Sequence, residues 1–204
     1  MAVQEGWRML KILRRIVQEV SAAQDLREAL DIATLRIKDA ICAEACSIFL
    51  VDEEHGEYVF MATEGLNKNL INKVRLKFGE GLIGLVGERE EPINLDDAPS
   101  HPRFRYYPDI GEEHYHAFLG VPIIHRRQLL GVLFVQQRDP RRFDESEEAF
   151  LVTISVQLAA AISHAQVVGV LWELNDAIAS SKDRNSSSIL AALRSGTASK
   201  SARG

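Results

Sequence analysis

The most chemically suggestive feature of this sequence is a short run of cationic and aromatic side chains. Arg103 and Arg105 lie next to Tyr106 and Tyr107, and His101 precedes them. A guanidinium group binds a carboxylate through two parallel hydrogen bonds, and flanking aromatic rings strengthen that contact by excluding water. The run therefore predicts a binding site for an anionic metabolite.

The same arginines could instead remain solvated or pair with acidic neighbours, which are Asp96, Asp97, Glu112 and Glu113. Residues two positions apart in an extended segment point in opposite directions, so only one of the two arginines can face a pocket. An apolar strand follows this run and should supply the floor of the pocket. The predicted ligand-binding residues are Arg103, Arg105, Tyr106, Tyr107, His116 and Phe118.

Histidines and acids in the same region do not predict a metal site. His114 and His116 would share one face of a strand beside Glu112 and Glu113, but no third well-spaced ligand accompanies them. Exposed polar residues at the start of a strand would give the same histidines and acids. We expect no metal and no cofactor.

Cysteine chemistry is not indicated either. Cys42 and Cys46 form a C-x3-C pair without the second ligand pair of a zinc site, and we expect both to be small apolar residues leading into a buried strand. The six histidines have no paired activated serine or cysteine, and "GEGLIGLVG" is not followed by the Lys-Ser/Thr pair of a phosphate loop. The sequence predicts no catalytic site.

Composition narrows the class of protein further. With 204 residues, 46% of them hydrophobic and 26% charged, the chain has the composition of one globular domain with extra helix or tail. A net charge of −5 gives no general attraction for nucleic acid or anionic lipid. The longest apolar runs, such as Leu129–Val135, are much shorter than the roughly 20 residues that cross a bilayer. We expect a cytoplasmic protein that binds neither nucleic acid nor membrane.

Helices are predicted at both ends of the domain. An amphipathic helix opens the chain, and its apolar face consists of Leu10, Leu13, Ile16, Val17 and Val20. Capping boxes, in which an acidic residue is followed by Glu three positions later, predict that further helices begin after Asp25 and after Asp144. These helices need a sheet to cover.

Alternating and continuous apolar patterns predict that sheet. Ser47–Val51 and Glu57–Ala62 form one hairpin, and "AFLGVPII" with "LLGVLFVQQ" forms a second, more buried one. Strands at Val74–Phe78 and Pro92–Leu95 flank a short helix within "GEGLIGLVGERE". The irregular segment 96–116 carries the candidate binding residues, and loops of about twenty residues inside a compact domain are often functional.

These elements predict an α+β domain with one central antiparallel sheet. The terminal helices should cover one face, and the irregular segment with its pocket should lie on the other. We predict an amphipathic, dimerising helix over residues 1–24, the main domain over 25–166, a helical extension over 167–180 and a disordered tail over 181–204. Large apolar residues nearly vanish from that tail.

The order of elements from about Leu10 to Gln166 resembles a GAF domain, a PAS-related fold whose sheet carries a small-molecule pocket. Two long stretches, "GEGLIGLVGEREEPINLDDAPSHPRFRYYP" and "AFLGVPIIHRRQLLGVLFVQQRDPRRFDESEEAFLVT", resemble the amino-terminal GAF domain of the nitrogen phosphotransferase system enzyme I family. Members of that family are phosphoenolpyruvate-protein phosphotransferases, in which phosphate passes from phosphoenolpyruvate to a histidine and then to a carrier protein.

The resemblance implies a regulatory role in nitrogen signal transduction. The ligand would be a metabolite reporting nitrogen status, such as glutamine or a 2-oxo acid, and it would control autophosphorylation by the family's phosphotransferase modules. The family's phosphorylated-histidine motif does not follow Ala165, so we expect this chain to regulate rather than catalyse.

Two other classes of protein stay open. GAF-fold enzymes that reduce free methionine sulfoxide resemble this topology, although the two cysteines do not match their placing. A purely structural dimerisation module would bind no small ligand. We also expect a homodimer, because apolar residues on the first and last helices exceed what one sheet face can cover: Leu10, Leu13, Ile16, Val17, Val156, Val167 and Leu171.

Overall fold

The computed structural model describes residues 2–107, 110–111 and 114–166, with side chains from Met9 onward. The extension predicted over 167–180 and the tail predicted over 181–204 lie outside the described residues, as do Glu112 and Glu113. The chain divides into two units, Met1–Ser163 and His164–Gly204. The architecture below is that of the first unit.

A six-stranded antiparallel sheet in the order β3-β2-β1-β6-β5-β4 forms the centre of the domain. The second hairpin lies in its interior, as the continuous apolar runs predict, and all neighbouring strands pair antiparallel. The predicted α+β fold is confirmed. The strands are β1 Ala45–Asp52, β2 Glu57–Glu64, β3 Arg75–Lys77, β4 Ile93–Leu95, β5 Ala117–His125 and β6 Gln128–Gln137.

Within the described residues, four helices accompany the sheet: α1 Ala2–Ser21, α2 Leu26–Ile41, α3 Gly81–Arg89 and α4 Glu145–Gln166. Both predicted capping residues are in place. The Asp25 carboxylate accepts from the Glu28 amide at 2.8 Å, and that of Asp144 accepts from the Glu147 amide at 2.9 Å. Short 3-10 turns lie at Lys68–Leu70 and Ala98–Ser100.

Each face of the sheet carries its own apolar core. On one face, which we call the helix side, β1, β5 and β6 pack with apolar residues of α1, α2 and α4, among them Ile16, Leu30, Ile37, Leu151 and Ile154. On the opposite face, which we call the pocket side, α3 and the segment 96–116 pack over the sheet. The predicted division of helices and irregular segment between the two faces is confirmed.

Helix α4 differs from the expectation that no segment is long and apolar enough to cross a bilayer. Among the described residues, α4 is the one helix long and apolar enough to cross a bilayer by length and composition, a criterion that core helices of soluble proteins also meet. Polar residues interrupt its sequence, which is why a search for unbroken apolar runs misses it. Phe150, Leu158 and Ile162 on α4 are buried in the helix-side core.

Two expectations about individual residues need correction. Cys42 is exposed rather than buried, since it is the C-cap of α2 and adopts a left-handed conformation with φ of 55°. Ile16 is buried in the chain's own core and is not part of a surplus apolar face, whereas Leu10 and Val156 are 58% and 56% exposed.

Candidate functional site

A cavity lies on the pocket side between the sheet, α3 and the segment 96–116. Its empty space, about 400 Å³, includes the open mouth of the cavity, so the part enclosed by protein is smaller. The cavity is therefore an open, largely apolar cleft with a few polar groups, the kind of site that small molecules use. The lining residues are Phe49, Leu76, Gly81, Leu82, Ile83, Phe104, Arg105, Tyr107, Ile110, Phe118, Phe134 and Gln136.

Aromatic rings from three neighbouring strands make the floor. Phe134 on β6 lies between Phe49 on β1, with ring centroids 6.1 Å apart, and Phe118 on β5, at 5.5 Å. Inward-facing residues on adjacent strands of a sheet are neighbours, which brings these rings together. These three rings make most of the floor apolar.

The roof begins at the N-terminus of α3, and glycine permits its close packing there. Gly81 has φ of +68°, which favours glycine, and a Cβ at this position would lie 3.7 Å from Cβ of Arg105 and 3.8 Å from the Tyr107 hydroxyl. The first residues of α3 thus lie directly beside the segment that the sequence singles out. Gly81, Leu82 and Ile83 all line the cavity.

The side chain at the N-cap of this helix makes no capping hydrogen bond. Glu80 is the N-cap residue, but its carboxylate makes other contacts: Oε1 accepts from the Tyr107 hydroxyl at 2.9 Å and Oε2 accepts from the Lys77 amide at 3.1 Å. The first amides of a helix have no partner within the helix, and they carry the positive end of its dipole. The uncapped end of α3 therefore contributes partial positive charge at the cavity.

The two arginines of the predicted site lie in different surroundings. Arg103 Nη2 donates to the Gly79 carbonyl and, at 3.0 Å, to Glu88 Oε2, so this guanidinium joins the irregular segment to α3 outside the cavity lining. Arg105 lines the cavity and makes no hydrogen bond or ion pair with any other residue that the structure describes. It is the arginine with a guanidinium available to a ligand.

The other predicted residues divide in the same way. Tyr107 and Phe118 line the cavity, whereas Tyr106 is 48% exposed and lies outside the lining. His116 is also outside: its Nδ1 lies 2.8 Å from Asp97 Oδ1. Hydrogen bonds from Ser100 and then from His116 lower the pKa of Asp97. Ligand binding by any of the six stays a prediction.

Sequence reasoning missed Gln136. This side chain lines the cavity, is only 4% exposed, and its Oε1 is the one buried side-chain nitrogen or oxygen among the described residues that lacks a hydrogen-bond partner. Period-two alternation along β6 places it on the same face as Val132 and Phe134. That alternation could have identified it, but two adjacent glutamines at the end of an apolar run look like a strand emerging into solvent.

Neither cysteine belongs to the cavity. Cys46 is fully buried in the helix-side core, and burial strongly raises the pKa of its thiol. The group therefore stays protonated, and a protonated thiol is a poor nucleophile. Cys42 is exposed at the end of α2. Within the described part of the chain, no group of three or more His, Cys, Asp or Glu residues could hold a metal ion.

Comparison with known proteins identifies the family. The family model described as "GAF domain" matches residues 25–162. The chain belongs to the GAF domain family. This GAF domain is also 53% identical, over 165 residues, to a protein of Salmonella typhimurium named "Phosphoenolpyruvate-dependent phosphotransferase system"; the match covers 81% of this chain and 22% of that relative. The chain thus spans about a fifth of the length of that curated relative.

Solved structures agree with this assignment. The GAF domain of a phosphoenolpyruvate-protein phosphotransferase from Coxiella burnetii is 58% identical, with a TM-score of 0.77, covering 79% of this chain and 96% of that one. The corresponding domain from Acinetobacter is 44% identical with a TM-score of 0.73, covering 79% and 97%. The resemblance to this group of GAF domains is confirmed.

The fold also occurs in enzymes. A free methionine-R-sulfoxide reductase from Neisseria meningitidis is 19% identical, with a TM-score of 0.69, and the match covers 78% of this chain and 91% of the reductase. At that identity the likeness shows a common fold and not a common activity.

Proposed function

We propose that this GAF domain is a regulatory sensor of a small carboxylate and controls a phosphoenolpyruvate-dependent phosphotransferase. The observation that carries the proposal is the position of Arg105 beside the uncapped N-terminus of α3, over an aromatic floor. The relatives named for phosphotransferase activity support the kind of protein that is controlled.

The charges around the cavity favour one carboxylate. Arg105 and the amides of α3 attract an anion, and a charge-assisted contact in a partly dry site is stronger than one in water. Glu80, at the same end of α3, repels additional negative charge and favours a ligand that also carries a positive or neutral polar group. Glutamine and 2-oxo acids are the candidate ligands.

Strand β6 connects the cavity to the helix side. Phe134 and Gln136 line the cavity, while Leu133 and Val135 on the same strand belong to the core that includes α4 residues. A ligand that fixes the pocket side of β6 therefore acts on the packing of the terminal helices. In this proposal the helices carry the signal to the phosphotransferase modules in the cytoplasm.

A homodimer is part of the proposal, with the exposed apolar residues Leu10 on α1 and Val156 on α4 as its contacts. Light scattering on the wild type at micromolar concentration should give the mass of a dimer. The pair of substitutions Leu10→Glu and Val156→Glu should shift it towards the monomer. A monomer mass for the wild type would remove dimerisation from the proposal.

The reductase alternative requires a reactive cysteine at the cavity. Cys46 lies on the other side of the sheet and Cys42 at the end of α2, so neither is available to a ligand there. Thiol-dependent turnover of free methionine sulfoxide should therefore be absent. The structural-module alternative predicts instead that no small ligand saturates the domain.

Calorimetric titration tests the sensing role. Glutamine, glutamate and 2-oxoglutarate are titrated into wild type, Arg105→Ala and Arg142→Ala; Arg142 is exposed and outside the cavity lining. We expect saturable binding of at least one ligand, weakened by Arg105→Ala by roughly ten- to hundredfold and unchanged by Arg142→Ala. Absence of heat with all three ligands, or equal affinity in all three proteins, would contradict the proposed site.

A further inference from the structure

Gln136 presents an unusual combination of burial and unmet hydrogen bonding. The residue is only 4% exposed, and its side chain lines the cavity. Its carbonyl oxygen Oε1 nevertheless accepts no hydrogen bond from the described residues. Buried polar groups in folded proteins nearly always have partners. An exception therefore calls for an explanation.

The neighbours of Gln136 within the sheet offer Oε1 no donor. Gln136 pairs across the sheet with Ala45 on one side and Phe118 on the other, and Phe134 precedes it on the same face of β6. None of these side chains carries a hydrogen-bond donor. The partner of Oε1 must therefore come from the cavity.

The two polar regions of the cavity have complementary requirements. Arg105 and the N-terminus of α3 in the roof attract a carboxylate, whereas Oε1 in the floor accepts a hydrogen bond and so requires an N–H or O–H donor. A ligand that satisfies both must carry a carboxylate at one end and a donor elsewhere. Amino acids meet this requirement, and 2-oxo acids offer no N–H.

We infer that Gln136 determines ligand specificity: its Oε1 accepts a hydrogen bond from an amine or primary amide of a small carboxylate ligand, and it thereby discriminates against 2-oxo acids. The inference rests on the proposed sensing function and assigns the ligand class within it. Leaving the acceptor buried and unpaired disfavours an analogue that lacks the donor. The site thus distinguishes two metabolites of similar length that share a carboxylate.

Gln136→Met provides the test, because methionine has similar size and no carbonyl acceptor. The matched control is Gln137→Met: Gln137 is the next residue on β6, lies outside the cavity lining and accepts from Arg141 Nε at 2.8 Å. Glutamine, glutamate and 2-oxoglutarate are titrated calorimetrically into wild type and both variants of the whole chain. Glutamate has an amine where 2-oxoglutarate has a ketone oxygen, and glutamine has an amide where glutamate has its second carboxylate. The three ligands therefore separate the effect of the amine from that of the amide.

The wild type should bind glutamine or glutamate at least ten times more tightly than it binds 2-oxoglutarate. Gln136→Met should weaken that ligand by about ten- to hundredfold, leave 2-oxoglutarate unchanged or tighter, and so abolish the preference. Gln137→Met should retain it. Without ligand, Gln136→Met should unfold at an equal or higher temperature than wild type, by up to about 4 °C, because an unpaired buried acceptor is removed.

The contrary outcomes separate the two proposals. If wild type binds these ligands but Gln136→Met weakens all of them equally, or leaves the preference intact, the specificity role is wrong while the sensing function stands. A wild type that prefers 2-oxoglutarate has the same meaning and indicates that water satisfies Oε1. If wild type binds no ligand, both proposals fail.

Discussion

The Tyr107 hydroxyl donates a 2.9 Å hydrogen bond to Oε1 of Glu80, and this bond joins two walls of the cavity. Tyr107 belongs to the irregular segment and Glu80 is the N-cap residue of α3. Because both walls must stay together to enclose a ligand, the bond helps to preorganise the site.

Tyr107→Phe tests this connection. The substitution keeps the ring in the lining and removes the hydroxyl, so we expect the affinity for ligand to fall by roughly three- to thirtyfold while the melting temperature changes little. Calorimetry and thermal unfolding measure the two quantities. Arg142→Ala, at an exposed residue outside the lining, is the control, and an equal effect from both would show that the walls do not depend on the Tyr107 bond.

Arg103 should contribute to stability rather than to binding. Its guanidinium bridges the Gly79 carbonyl and Glu88, and both side chains of the ion pair are partly exposed, at 38% and 50%. After allowance for solvent screening, Arg103→Ala should cost about 0.5–1.5 kcal/mol of the free energy of unfolding. Denaturant titration gives this value. A loss of affinity as large as that for Arg105→Ala would mean that Arg103 contacts the ligand.

The close packing of α3 on the turn before it depends on Gly84. A Cβ at this position would lie 2.7 Å from Cα of Gly79, a backbone atom that cannot rotate away. Gly84→Ala should therefore displace the roof and destabilise the domain by about 1–3 kcal/mol, despite the better helix propensity of alanine. Arg89→Ala, in the exposed last turn of the same helix, should have little effect. Unchanged stability of Gly84→Ala would contradict this packing.

A charge cluster at the tip of the first hairpin should titrate independently of the cavity. Hydrogen bonds from Arg75 and then from His55 lower the pKa of Asp52 to about 2, and Asp52 in turn raises the pKa of His55 above its ordinary value near 6.5. The Asp52 contribution to stability is present above its unfolded pKa and is lost as pH falls towards 2. The His55 contribution is full below pH 6.5 and is lost as pH rises through the raised pKa.

NMR titration of His55 measures this coupling directly. In Asp52→Asn, the pKa of His55 should fall towards 6.5, because the carboxylate that stabilises the imidazolium is gone. An unchanged pKa of His55 would show that the 2.9 Å contact with Asp52 has no electrostatic effect.

Local sequence patterns account for most of the fold and for part of the cavity. Asp25 and Asp144 cap helices because the capping bond connects residues three positions apart, and period-two alternation identifies the hairpins. The choice between Arg103 and Arg105 depends on Gly79 and Glu88, which are distant in the sequence, so the pattern could predict only that the two arginines differ. The exposure of Cys42 follows from its left-handed conformation at the C-cap of α2, and no sequence motif indicated that the helix ends there.

Gln136 shows more clearly what local sequence patterns fail to predict. A polar residue after an apolar run is normally a strand end in solvent, and only the roof formed by α3 and the segment 96–116 makes this one buried. Such tertiary cover arises from contacts between distant segments, which neither periodicity nor propensity encodes.

Site-resolved NMR of the backbone and side-chain amides during addition of glutamine and, separately, 2-oxoglutarate is the most direct test of the sensing site. A ligand held between Arg105 and the sheet should shift the amides of Gly81, Leu82 and Ile83 and the side-chain amide of Gln136, in a saturable manner, while the hairpin tip at His55 stays unchanged. Shifts confined to residues outside the cavity, or none with either metabolite, would contradict the account.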